Sequence, residues 1–291
     1  MDTPKISQEM IRLYDEYTHL TLDRRGFMDK LTRLAGSAAA AAAIAPLIAP
    51  SQAAAAIVAE TDPRVVAAPV AFAGKSGEVK AYLVKPATAP AKLPALVVIH
   101  ENRGLNGHIQ DIARRLAIEG FMALAPDLLS PAGGTPPDET AAAQLISKLD
   151  PATTVGDLVA AADHLRGRGD ATGKVGAVGF CWGGGMTNQL AVHDPRLVAA
   201  VAYYGPQPTA EDAAKIKAKL LLHYAGLDDR IGAGIPAYEA ALKAAGVDYT
   251  IHIYPGVNHA FNNDTSSARY DKAAADLAWS RTVAFLKAAL G

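Results

Sequence analysis

The chain predicts an α/β fold: a mostly parallel central sheet with helices on both faces. Three observations carry that expectation. Strand-like and helix-like stretches alternate at βαβ spacing from Ala95 to the C-terminus. Ala95-Leu96-Val97-Val98-Ile99 is a continuous apolar run, the pattern of a parallel strand covered on both faces. Val175 to Phe180 reads as a short buried strand that breaks at Gly179-Phe180-Cys181-Trp182-Gly183 and restarts as a helix. Strand, glycine turn and helix make a nucleophile elbow, with Cys where Ser is commoner. Glycines stand two before and two after that Cys because the turn is strained and its neighbours pass too closely for side chains.

In chain order, the first fifty or so residues are expected to stand outside this fold. Asp23-Arg24-Arg25-Gly26-Phe27-Met28-Asp29-Lys30 is a twin-arginine pattern, followed by an alanine-heavy run from Leu34 to Ala49. Small residues at Ala53 to Ala55 suit a signal peptidase. Residues 1–53 therefore read as a twin-arginine signal peptide cut at about 53–55. The export machinery becomes a partner and the periplasm the location. Pro46 and the weak hydropathy of the alanine run argue against stable membrane insertion. The stretch before Thr21 is long for such a signal, and the competing reading is a helical extension with a chance Arg-Arg.

Residues 54–291 form the expected single domain. Val65 to Phe72 and Val79 to Val84 read as a hairpin about Gly74-Lys75-Ser76-Gly77. After the strand ending at Ile99 come a helix (His108 to Ile118), a strand (Phe121 to Ala125) and a Pro/Gly-rich loop (Ser130 to Asp138) expected to be mobile. Helices over 139–149 and 154–166 precede the elbow. Strands at 197–203, 220–224 and 249–254 follow, with a helix at 236–245 and a closing helix at 267–290. No internal repeat or interdomain linker interrupts them.

Half of the 291 residues are apolar and the formal net charge is −1, so a sizeable core is available. No strong field favours nucleic acid or an anionic surface. A single Cys excludes an internal disulfide and any multi-Cys metal centre. The histidines of the mature chain show no ligand spacing, so neither metal nor cofactor is expected.

Three polar groups follow three different strands in the order Cys181, Asp228, His259. Nucleophile, acid, histidine is the order of the α/β-hydrolase fold. A thiol is mostly protonated at neutral pH and needs a base; His259 would take its proton, and a carboxylate would orient the imidazole. Asp228 and Asp229 compete for that role, with Ile231 three residues on favouring Asp228. An oxyanion would be held by the backbone N–H of Trp182, at a helix N-terminus, and by one from the loop after Ile99, with Asn102 the choice. Arg103, Tyr204 and Phe261 are candidates for the substrate pocket.

His100-Glu101-Asn102-Arg103-Gly104, Gly179-Phe180-Cys181-Trp182-Gly183-Gly184, Tyr203-Tyr204-Gly205 and Asn258-His259-Ala260-Phe261 together resemble the dienelactone hydrolase family, over about Val70 to Leu290. The resemblance implies a small-molecule ester or lactone substrate, with Cys181 as nucleophile, His259 as base and Asp228 as its orienter. It also implies that Glu101 contacts the thiol; on the residues alone, Glu101 is a salt-bridge partner for Arg103. The family's carboxylate-holding arginine four residues after the histidine is Asn263 here, and Asp138-Glu139-Thr140 lacks the other basic residue. A neutral aryl ester is therefore the expected better substrate. The alternatives are a non-catalytic periplasmic binding protein on the same fold, and C–C or C–halogen hydrolysis, which usually employs Ser or Asp at the elbow.

Overall fold

The computed structural model describes residues 6–19, 21–51 and 56–291. Eight strands form one sheet in the order β1-β2-β4-β3-β5-β6-β7-β8. They are β1 Val65–Gly74, β2 Gly77–Pro86, β3 Leu93–Ile99, β4 Met122–Pro126, β5 Ala171–Phe180, β6 Ala199–Tyr203, β7 Lys219–Ala225 and β8 Tyr249–Tyr254. β1 pairs antiparallel with β2, and β2 with β4; every other pairing is parallel. This is the mostly parallel α/β-hydrolase sheet that the sequence predicts.

Period-two alternation explains how one apolar run serves two faces. Ala95, Val97 and Ile99 join one core with helices α6 (Pro151–Arg166) and α7 (Trp182–His193). Leu96 and Val98 join the other, with α4 (Gly107–Ile118) and α11 (Lys272–Leu290). Val97, Val98, Ile99 and Leu96 are fully buried, each contributing about 1.5–3 kcal/mol of transfer free energy.

Element bounds differ from expectation in physically simple ways. α7 begins directly after Cys181, at Trp182, because three successive glycines are accepted where the helix passes β3 and β6 closely. The closing helix begins at Lys272, capped by Asp271, whose carboxylate accepts from Ala274 N–H at 2.9 Å. The Pro/Gly loop, expected to be mobile, is tied down. Thr135 Oγ1 donates to Asp127 and accepts from Leu105 N–H, at 2.8 and 2.9 Å.

The N-terminal residues fold against this body. Helices α1 (Gln8–Thr18), α2 (Arg24–Ala35) and α3 (Ala38–Ile48) pack on one another around Leu13, Tyr14, Phe27, Leu31, Ile44 and Ile48. Before any cleavage, then, the segment expected to stand apart lies on the domain. The expected cut at 53–55 lies outside the described residues. No single helix among the described residues is long and apolar enough to cross a membrane, and α2 and α3, which together would be, are bent by 111°.

Candidate active site

The elbow is built by contacts that only glycine permits. Cys181 has φ 56° and ψ −119°, a conformation costing on the order of 1–3 kcal/mol for a residue with a side chain. A Cβ on Gly179 would lie 2.1 Å from Gly183 O, and one on Gly183 would lie 2.3 Å from His100 O. Surrounding structure holds the strain in place: Cys181 N–H donates to Tyr203 O at 3.0 Å. The thiol thereby stands at the C-terminal edge of the sheet, and Trp182 occupies the first position of α7, where an N–H has no intrahelical acceptor.

The loops after β7 and β8 bring the partners. Asp228 caps the short helix α9 (Asp229–Gly232): its Oδ1 accepts from Ile231 N–H at 3.2 Å. That leaves Oδ2 for His259 Nδ1, 2.5 Å away. Asp229 instead points outward, 83 % exposed at its side chain, 3.5 Å from Arg12. The apolar residue that favoured Asp228 in the sequence is the one whose backbone orients that carboxylate. That leaves His259 Nε2 buried with no hydrogen-bond partner among the described residues. The Cys181 sulfur and one ring nitrogen each of His19 and His259 lie within 4.8 Å of one another.

Charge in this cluster is separated. Burial pushes the Cys181 thiol up, but the attractions of His259 and then His19 outweigh it and bring its pKa down to about 6. Burial pulls His259 down, yet Asp15, Cys181 and Asp228 together hold it well above its usual value. Asp228 is lowered despite its burial, by the hydrogen bond from His259 and by the charge of that ring. Both shifts favour a thiolate beside an imidazolium.

The remaining expected residues fall in three groups. Tyr204 and Phe261 are fully buried and wall the site, Tyr204 4.9 Å from the His259 ring and Phe261 5.4 Å from Tyr204. Glu101 is buried, but its Oε2 accepts from Asn263 Nδ2 at 2.7 Å, while Oε1 has no hydrogen-bond partner among the described residues. Asn263, standing where a carboxylate-binding arginine was expected, thus holds Glu101. Arg103 pairs with Glu139 rather than Glu101 and donates to Tyr14 Oη at 3.0 Å. The Asn102 side chain donates to Thr18 O at 2.6 Å.

His19, Asp15, Arg230 and Arg269 were not foreseen. His19 Nε2 is 3.4 Å from Cys181 Sγ, and its ring meets that of His259 edge-on at 4.9 Å. Its Nδ1 lies 2.8 Å from Asp15 O, and Arg230 Nη2 lies 2.9 Å from its Nε2. Asp15 lies 3.8 Å from Arg230 and 3.9 Å from Arg269. The only trace of this in the sequence is the charged, aromatic stretch Tyr14-Asp15-Glu16-Tyr17-Thr18-His19 ahead of the twin arginines. His19, Cys181 and His259, or Asp15, Asp228 and His259, offer donors close enough to hold a metal ion, a set invisible to a search of the mature chain alone.

Comparison with known proteins places this geometry among relatives. The model of the dienelactone hydrolase family matches residues 79–290. A second model, described as YqhI-like, matches residues 2–36. The chain is 33 % identical over 246 residues to "Putative carboxymethylenebutenolidase" of Escherichia coli O157:H7, covering 79 % of this chain and 90 % of that protein. A protein of the same name from Saccharolobus solfataricus is 35 % identical over 249 residues, covering 72 % and 94 %. Among solved structures, "Putative Dienelactone Hydrolase" from Klebsiella pneumoniae superposes with a TM-score of 0.69 at 31 % identity, covering 77 % of this chain and 98 % of that one.

Proposed function

The chain belongs to the dienelactone hydrolase family and is a hydrolase of ester or lactone bonds, and on that premise we propose that Cys181 is its nucleophile. The observation that carries this reading is the chain of contacts from the Cys181 sulfur through His259 to Asp228. The thiolate adds to the substrate carbonyl, and the negative oxygen is received by the Trp182 N–H and a second donor in the loop of Asn102. As the carbonyl re-forms, the alkoxide departs with the proton of His259, leaving a thioester on Cys181. His259, neutral again, deprotonates a water that attacks the thioester; the acid is released and the thiol restored. Asp228 holds the ring in the tautomer that both steps need.

Glu101, buried beside the site and held by Asn263, stands ready to influence the thiol. Asn263 in place of an arginine supports neutral esters over anionic lactones. Twin arginines and a small-residue stretch support export to the periplasm and loss of the first 53–55 residues.

Replacing Cys181 with Ala is expected to abolish turnover of a short-chain aryl ester with the circular dichroism spectrum unchanged. Mass spectrometry of the wild type, quenched during turnover, should find the acyl group on Cys181. Full activity in C181A, or an acyl group elsewhere, overturns the mechanism.

A further inference from the structure

We infer that the rim of the catalytic pocket is a docking surface for the chain's own N-terminal segment, residues 8–19 and 21–51, and that the docked segment keeps the enzyme latent. The docking part stands on geometry alone; latency rests on Cys181 being the nucleophile.

Position is the first argument. His19 lies 3.4 Å from the sulfur and against the His259 ring, the space that a substrate carbonyl must enter to meet both. With the segment in place Cys181 is 5 % exposed. A thiol walled in by its own chain cannot meet an ester until that wall moves.

The second argument is the identity of the body residues engaged. Asn102 holds Thr18 O, Arg103 holds Tyr14, Arg230 holds His19, and Asn258 accepts from Gln8. Asp229 faces Arg12, and Thr265 O accepts from Ser51 N–H at 2.7 Å. These body residues sit in the loops that end the strands, where a parallel sheet of this kind receives its ligand.

Third, the segment is built to leave as a unit. Its large apolar side chains close its own three-helix core, against which Ala268 of the body also packs, and it meets the body through hydrogen bonds, ion pairs and the Arg269 guanidinium over the Tyr14 ring. The Arg12–Asp229 pair is exposed at both ends, 53 % and 83 %, and such pairs contribute little. Docked, the segment still presents Arg24 and Arg25 to solvent at the start of α2 while Phe27 is buried.

The test uses the full-length chain with a protease recognition sequence built into residues 52–55, purified intact and then cut. Cys181 is the only thiol, so the rate of its alkylation by iodoacetamide reads the occlusion directly, with aryl-ester turnover measured beside it. Cutting at nanomolar concentration should raise both rates by about tenfold or more, as expected when the competent state is a minor population beforehand. His19→Ala should speed alkylation in the uncut chain, as should Leu13→Asp with Leu31→Asp, which break the segment's own core. Alkylation unchanged by the cut and by the double variant overturns the proposal, as does slower alkylation in H19A once each rate is divided by the fraction of thiolate present. Faster alkylation without any turnover would leave the docking standing and sink the hydrolase mechanism instead.

Discussion

The body and the N-terminal segment each close an apolar core, yet they are held by different forces. In the body, strands such as β3 and β5 are buried on both faces, and the cores on either side run unbroken through the sheet. In the segment, α3 is mostly alanine, and the few large side chains close a small core of their own. Hydrogen bonds and ion pairs carry much of the attachment between the two. Continuous apolar burial makes a region permanent; polar attachment makes it removable. The contrast predicts which substitutions should be felt by the whole molecule and which only at the seam.

The largest effect belongs to the elbow. Gly179→Ala places a methyl 2.1 Å from backbone oxygen, and neither strand nor helix can yield; a loss of about 3 kcal/mol or more is expected, read as a lower denaturant midpoint of the body. Leu31→Ala, at a fully buried position of the segment, opens a cavity worth about 2–5 kcal/mol locally. It should leave the body's midpoint where it was and only loosen the segment. A body midpoint that falls with Leu31→Ala would mean that the two regions are one cooperative unit.

Two adjacent carboxylates draw the same line within the site. Asp228→Asn should lower kcat on the order of 10³-fold by releasing the His259 tautomer, with the segment cut or uncut. Asp229→Asn touches only the exposed pair with Arg12 and should leave kcat of the cut chain unchanged. Its effect on segment release in the uncut chain should be under about 1 kcal/mol. Equal losses in the two variants would break the assignment of Asp228.

What was legible in the sequence follows this division. Apolar runs report burial on both faces, glycine spacing reports the elbow, and polar residues after strand ends report the edge where Cys181, Asp228 and His259 meet; each is a local pattern. The seam is not local. Thr18 with Asn102, and His19 with Cys181 and Arg230, are joined across 84, 162 and 211 residues by single polar contacts that leave no periodicity behind. Nor could spacing show that Asn263 would turn to Glu101 and Arg103 to Glu139. Local pattern reads strand and helix; it does not read which of two carboxylates an arginine meets. Short helices such as α8 (Ala210–Ala213) and α9 fell below the same threshold.

The smallest effect is electrostatic and separates the two histidines that face the sulfur. Against the upward push of burial, His259 is the larger influence holding the Cys181 thiol at about 6, and His19 the next. Cutting the segment away would confuse the comparison, because water entering the site favours the thiolate while the loss of His19 disfavours it. Asparagine in the uncut chain avoids that: it fills similar space and carries no charge. Titrated by the ultraviolet absorbance of the thiolate, the midpoint should rise in both His259→Asn and His19→Asn, and further in the former. A lowered pKa means thiolate persists down to about pH 6 in the wild type, so each variant should lose it at a higher pH as the solution is acidified. If His19→Asn leaves the midpoint untouched, the segment occupies the pocket without sharing its charge, and its hold on the thiol is steric alone.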